Sequence, residues 1–360
     1  MPATFPLTTN FEISAIVRDY MNWAVKDDPI MKLMPLAFQN KFKVVWEQPD
    51  NYYGLMPLRG INGTPDILLT PGAKRYAVDP GYYGSYDLID EEKMDKEREL
   101  GTASDLRIFE TMVNDAAQNQ AVAFMNRIRL LICTFLTTGE FKIESRGGAK
   151  VHQYKVTDYN LASAGTAWTN TSSGKPISDM LTMRDTLNLG TSSDFGEGKV
   201  YASPVLISTM LKTDQVMSTI KNTYGATIVG LTQLNQIFKG YGLPEWHPYG
   251  ESYSATAGAA RSSHTRFLSA TKFIWAAKRP EGQPFGEFVL TKNSINQAPE
   301  TPDVDHNVDP LVDTEDWKRG LYTLVSRQQP DVPPLYRVDV GFNGGPRLNF
   351  PSAVAGITTS

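Results

Sequence analysis

SDLRIFETMVNDAAQNQAVAFMNRIRLLICTFLTTG, Ser104 to Gly139, is the most strongly patterned stretch of a 360-residue chain. Leu106, Phe109, Met112, Val113, Ala116, Ala117, Phe124, Ile128, Leu131, Ile132 and Phe135 recur at steps of three and four, which puts them on one face of a helix. Ser104 is a suitable N-cap because its hydroxyl can accept from a free first-turn amide, and Thr137-Thr138-Gly139 supplies the stop. Such a helix spans about 50 Å at 1.5 Å per residue, long for a globular protein, and is expected to serve as a spine. Its most apolar run, Leu130 to Leu136, is short and flanked by Arg129 and Glu140. No window reaches about 18 uninterrupted apolar residues, and the start MPATFPLTTNFEIS lacks a basic and an apolar leader region, so neither a membrane span nor a secretory leader is expected. Cys133, the one cysteine, cannot form an intrachain disulfide and is expected to be a buried, inert thiol.

Just upstream, GSYDLIDEEKMDKERELGTAS, Gly84 to Ser104, alternates in charge from Glu91 to Glu99. A solvated helical face explains this, and a charge contact between subunits is the alternative. Between Lys41 and Leu88, short β-prone runs are punctuated by Pro and Gly, and Asn62-Gly63 signals a type I′ turn because both of its central positions need positive φ. A long two-stranded hairpin is expected; it has no core of its own and depends on neighbours. Residues 1 to about 40 combine a helix-like piece, Phe11 to Trp23, with Pro2, Pro6, Pro29 and Pro35. They read as an extended arm whose Phe11, Ile16, Tyr20 and Trp23 must be buried by another part of the fold or another chain.

Downstream, Phe141 to Val156 reads as two strands around Arg146-Gly147-Gly148, and a polar link from Asn160 to Lys175 suggests a domain boundary. Helices are expected at Ile177 to Leu187, Ser203 to Tyr224 and Thr232 to Phe238. Strands are expected at Lys199 to Ala202, Thr227 to Leu231, Lys272 to Ala277 and Glu287 to Leu290, with Gly240 to Tyr253 as an aromatic loop. That alternation describes a mixed α/β domain. Residues 294–316 are rich in Pro and Asp, and Trp317 to Arg327 and Tyr336 to Val340 are late strands that pair with earlier ones.

Lys and Arg number 35 against 39 Asp and Glu, a net charge of −4 that disfavours a dedicated nucleic-acid binder. The 41% apolar content excludes global disorder. No Walker loop, dinucleotide-binding glycine motif or nucleophile elbow occurs. His152, His247, His264 and His306 are scattered, and Asp303 to Asn307 lacks the Gly and terminal Glu of a calcium loop. Asp90-Glu91-Glu92 could supply a carboxylate pair, but any long chain offers one. The cluster Tyr241, Trp246, His247, Pro248, Tyr249 and Tyr253 could stack a sugar or base, or be a packed loop or contact patch. No catalytic, cofactor-binding or metal-ligating residues are assigned. An arm, a hairpin and a charge run that cannot bury themselves point instead to assembly with other copies.

KRYAVDPGYYGSYDLIDEEKMDKERELG, Lys74 to Gly101, resembles the segment joining the extended hairpin, or E-loop, to the spine helix in the major capsid proteins of tailed bacteriophages, in the lambda-type branch of the Hong Kong 97 fold. The resemblance extends in order along most of the chain. It implies an α+β fold with an N-terminal arm (1–40), an E-loop (41–90), spine helix and peripheral domain (91–175), a mixed α/β axial domain (176–325) and a C-terminal return to the peripheral domain (326–360). It further implies a subunit that self-assembles into hexamers and pentamers of an icosahedral head around double-stranded DNA, which presses on the inner face without sequence specificity. Scaffolding, portal and decoration proteins would be partners. A separate scaffold is expected because no long charged extension precedes the arm, and covalent crosslinking is not expected. The location would be the virion, assembled in the host bacterial cytoplasm, with no membrane, no cofactor and no enzymatic role. Assembly contacts would fall on Trp46, Arg59, Asn62, Gly63, Arg75, Asp79, Tyr82, Tyr83, Asp87, Asp90, Glu91, Glu92, Trp246 and Tyr249. The competing readings are an encapsulin-like compartment, a carbohydrate-binding or hydrolytic enzyme using the Tyr241 to Tyr253 loop, and another virion part such as a tail-tube protein.

Overall fold

A computed structural model describes residues 20, 22, 24–49, 72–89, 105–144, 150–157, 159–189, 193–225, 230–254, 264–279, 284–292, 320–328 and 335–359. In chain order the elements are α1 (Pro29–Leu33), β1 (Leu36–Gln39), β2 (Val44–Pro49), β3 (Ala73–Val78), β4 (Gly81–Ile89), α2 (Asp105–Thr138), β5 (Glu140–Glu144), β6 (Lys150–Lys155) and β7 (Asn160–Ser163). There follow α3 (Pro176–Asn188), β8 (Asp194–Ala202), α4 (Pro204–Leu211), α5 (Asp214–Tyr224), α6 (Leu231–Gly240), β9 (Glu245–Pro248), β10 (Ser252–Tyr253) and β11 (Thr265–Arg266). The chain ends with β12 (Lys272–Lys278), β13 (Gly286–Thr291), β14 (Leu321–Gln328), β15 (Leu335–Leu348) and β16 (Val354–Thr358).

The expected spine forms as the single 34-residue helix α2. Val113, Ala117, Ala121, Phe124, Ile128, Ile132 and Phe135 are buried along one stripe, as the three-and-four spacing requires. The helix stops where Gly139 takes φ 68°, a left-handed conformation favourable only to a residue without Cβ, and its N–H closes on the Phe135 carbonyl at 2.7 Å. Thr137 Oγ1 donates back to the Cys133 carbonyl, and Tyr159 Oη donates to that of Leu136, so the last carbonyls are satisfied by side chains. Residues Thr111–Thr138 are long and apolar enough to cross a bilayer by length and composition. In this fold half of that stretch is buried inside the protein, against two sheets.

The first sheet has five strands in the order β1-β13-β15-β14, with β4 also paired to β15. β15 runs antiparallel to β4, β13 and β14, and β1 adds in parallel to β13. Tyr83, Ser85 and Ile89 of β4 and Val338, Val340 and Phe342 of β15 alternate with outward residues. Phe124 meets Phe342 edge-on at 4.5 Å, and buried Gln120 donates to the Val338 carbonyl at 2.8 Å. Three boundaries differ from those read in sequence. Gly81–Ile89 belongs to this sheet rather than to the hairpin unit, because its alternation matches β15 for nine consecutive pairs. Gly286–Thr291, assigned to the axial domain, also lies here. Residues 24–39 of the arm are tied down within the chain, with Ile30, Met31 and Met34 buried and β1 bonded to β13.

The second sheet has the order β7-β16-β12-β8-β9 and is covered by α3 to α6. β16 pairs with β12 and β7 here, so the end of the C-terminal return joins this sheet instead of the first one. The expected helix Ser203 to Tyr224 is two. Ser203 caps α4 through Leu206 N at 3.3 Å, and Thr213 Oγ1 turns back to the Met210 carbonyl, ending the helix before α5 starts. Leu231, expected to end a strand, opens α6, and the expected aromatic loop contains β9, parallel to β8. The Phe11 to Ile16 segment, Trp23, the Asn62-Gly63 and Arg146-Gly147-Gly148 turns, the 91–99 charge run and residues 294–316 lie outside the described residues.

Candidate assembly surfaces

β2 and β3 form the base of the expected hairpin, in register from Val44 opposite Val78 to Pro49 opposite Ala73. They make a two-stranded sheet separate from the other two. A small satellite cluster holds the base: Val44, Trp46 and Val78 pack on Val289 of β13, with Tyr76 and Tyr154 at its margin. Trp46 stacks on Tyr76 at 5.0 Å and meets Tyr154 edge-on at 5.4 Å. The buried Trp46 indole N–H has no acceptor among the described residues. The free edge of β2 is clamped by the Gln39 amide, which accepts from Val45 N and donates to Val45 O, both at 2.9 Å. Beyond that cluster the base is polar. Lys43 pairs with Asp79 at 2.9 Å and Arg75 lies 4.0 Å from Glu47, all four side chains being about half exposed or more.

A second junction, not anticipated from the sequence, ties the N-terminal segment to both halves of the fold. Asp28 caps α1, accepting from Ile30 N at 2.9 Å, and its other oxygen accepts from Arg129 Nε of α2 at 2.6 Å and from Tyr249 Oη at 3.2 Å. Arg129 also donates to the Ala24 carbonyl. Asp28 is 3% and Arg129 12% exposed, so the charges are compensated inside the protein. Burial, with the nearby Asp28 carboxylate, pushes the Cys133 thiol well above its usual range, and burial does the same to the Tyr249 phenol. Cys133 is thus buried as a thiol with no tendency to ionise, in agreement with the expectation. The local signal for this junction was Asp28 followed by Pro29, an N-cap with proline in the first turn, and Arg129 at the start of the most apolar run of α2.

The residues expected at contacts scatter over several settings. Trp246 and Tyr249, expected at contacts, are instead buried within the chain at 1% and 2% exposure, because β9 places Trp246 among Trp168, Phe238 and Phe273, and Tyr249 follows it to Asp28. Trp46 is likewise buried, under its own hairpin. Tyr83 stacks on Phe342 toward α2, and Asp87 accepts from Leu88 N. Tyr82 stands out from the sheet at 72% exposure. Arg59, Asn62, Gly63, Asp90, Glu91 and Glu92 lie outside the described residues.

Among the described residues no three His, Cys, Asp or Glu side chains gather as metal ligands. His247 stacks on Tyr201 and sits 3.6 Å from Glu245, and burial holds its imidazole below the ordinary value. A cleft of about 690 Å³ beside it, between the start of β8 and α6, is lined by Glu197, Lys199, Asn235 and Lys239. Asn235 is already engaged, bracketing the free edge of β9 through Trp246 N and O.

Comparison with known proteins places this architecture. No protein-family model and no curated protein matches the sequence. Among solved structures, one assigned as the capsid protein of a prophage of E. coli CFT073 superposes with a TM-score of 0.53 at 11% identity, over 98% of this chain and 99% of that one. A phage-related protein of Bordetella bronchiseptica RB50 (TM-score 0.46, 11% identity, 98% and 97% covered) and the capsid of Myoviridae phage XM1 (0.47, 10%, 90% and 90%) are more distant. With a spine helix laid against a five-stranded sheet, a second sheet wrapped in helices and a two-stranded hairpin base seated on a cluster of its own, the chain has the Hong Kong 97 type fold of tailed-phage capsid proteins.

Proposed function

We propose that the protein is the major capsid subunit of a tailed phage, copies of which assemble as hexamers and pentamers into an icosahedral shell around double-stranded DNA. The observation that carries this reading is end-to-end likeness of fold, from the N-terminal segment to the last strand, to a phage capsid protein. Fold alone does not dictate function. The hairpin adds a physical reason, since its base rests on four buried residues and a two-stranded extension beyond it is marginal without further contacts.

On this reading α2 with the first sheet is the peripheral domain, the second sheet with α3 to α6 is the axial domain, and β2–β3 is the root of the E-loop. The hairpin tip with Arg59, Asn62 and Gly63, the polar base with Arg75 and Asp79, and the acidic residues Asp90, Glu91 and Glu92 would meet neighbouring subunits. A scaffolding protein, a portal and a decoration protein would be the other partners, and the virion the final location after assembly in the host cytoplasm. Packaged DNA would meet a wall with a slight negative charge that does not grip it.

Negative-stain electron microscopy of the expressed protein tests this, alone and with a candidate scaffold from the same genome. Closed shells of uniform diameter are expected. A monodisperse monomer under both conditions at high concentration would overturn the proposal, and shells that package protein cargo without DNA in the producing host would reassign it to a compartment.

A further inference from the structure

The aromatic cluster considered above for sugar stacking is core, but an exposed aromatic cup lies elsewhere, on the face of the first sheet turned away from α2. Its wall is β4, where Tyr82 and Tyr86 are 72% and 57% exposed, and at about 3.3 Å per residue their rings stand about 13 Å apart on one face. Opposite them in register are Asn343 and Asp339 of β15, and between them Gly84 faces Gly341. The glycine pair leaves a trough in which the Tyr322 ring lies. A Cβ at Gly84 or Gly341 would stand 2.4 or 2.2 Å from the Tyr322 hydroxyl, so only glycines permit this floor.

The cup encloses about 300 Å³. Its polar groups are held in place: Arg337 Nε donates to both Asp339 oxygens at 2.9 and 2.8 Å and Nη2 donates at 2.6 Å, while the guanidinium lies 4.2 Å from the Tyr86 ring centre. That pairing cancels the two charges, leaving a cup without net charge but dense in hydroxyl, amide and carboxylate groups beside the exposed Tyr82 ring and the face of the Tyr86 ring opposite the guanidinium. An anion would gain little there, because Arg337, the cation among the described lining residues, is already paired with Asp339, and nearby Lys43 with Asp79. A flat, neutral, polyhydroxylated molecule would bury its C–H face on a tyrosine and exchange hydrogen bonds at its rim.

We propose that this cup binds a neutral glycan, with Tyr82 and Tyr86 as successive stacking platforms and Asp339, Asn343 and the Tyr322 hydroxyl as its polar contacts. Tyr82, expected from the sequence to meet a neighbouring subunit, is thereby assigned to a ligand. The inference goes beyond the shell reading and does not depend on it.

The test is saturation-transfer NMR on the full-length protein, with maltohexaose, cellohexaose, chitohexaose and mannohexaose as separate probes and a twelve-nucleotide oligothymidylate as the competing class. Transfer to at least one oligosaccharide is expected. Its dissociation constant should rise at least about tenfold in the Tyr82→Ala/Tyr86→Ala variant, with an unchanged thermal midpoint, and stay within about threefold in Tyr82→Phe/Tyr86→Phe, which keeps the rings. The proposal is overturned by silence from all four sugars, by undiminished binding in the alanine variant, or by transfer to the oligonucleotide alone.

Discussion

The β2–β3 hairpin and the β8–β12 pair are both antiparallel and rich in aromatic residues, yet they are held in opposite ways. In the second sheet, Phe273, Ile274, Trp275, Ala276 and Ala277 of β12 are buried in succession. Trp275 donates to the Phe195 carbonyl at 2.9 Å, and helices and neighbouring strands cover both faces. In the hairpin, Ala73, Lys74 and Arg75 are exposed, and one cluster under the root does the packing. The first region carries its own stability. The second is positioned by the fold but not covered by it, and an element in that condition is suited to being completed by a neighbour.

Variants of the buried core, which like the β8–β12 pair is covered from within the chain, should show the largest effects. Asp28→Ala leaves Arg129 buried without its partner and uncaps α1, and should lower the unfolding free energy by about 3 to 5 kcal/mol in urea titration. Phe124→Ala should cost about 3 to 5 kcal/mol, and Leu131→Ala, on the same face but only partly buried, under about 2 kcal/mol. Equal losses would show that Leu131 is packed as completely as Phe124, against its partial burial. On the dependent side, Trp46→Ala should shift the global midpoint little while amide exchange across residues 44–49 and 73–78 speeds up by at least about tenfold, because the hairpin root opens locally. If instead the whole protein unfolds, the hairpin is part of the main core and the contrast fails.

The smallest effect concerns pH. Burial lowers the His247 pKa, against the pull of Glu245, so as pH falls through about 6.5 the unfolded chain takes up this proton before the folded one. The stability tied to this group is present above that pH and lost below it. His247→Gln should therefore flatten the difference in thermal midpoint between pH 7.5 and pH 5.5, and an unchanged difference would show that other groups set it.

What could be read in the sequence was local. The spine from Leu106 to Phe135 declares itself because one stripe of a helix repeats with a fixed step, and Gly139 marks its end. The hairpin root followed from short β-prone runs between turn residues. Gly240 to Tyr253 was misread because proline, glycine and aromatic density imitates a loop, whereas β9 is a four-residue edge strand whose place is fixed by β8 and by the Asn235 amide. The N-terminal segment looked unpartnered because its partners, Arg129 and Tyr249, lie 101 and 221 residues away and no periodicity links them to Asp28. Likewise the aromatic cup needs β4, β14 and β15 side by side, and tyrosines at 82, 86 and 322 are related only by strand register.

Electron microscopy paired with thermal unfolding, on the full chain and on a variant lacking residues 51–70, tests the central claim that the hairpin serves other copies. The account expects the shortened protein to melt within about 2 °C of the parent while forming no closed shells where the parent does, since the core stays intact and only the outward element is lost. Parent-like shells from the shortened chain, or a collapse of its thermal stability, would contradict it.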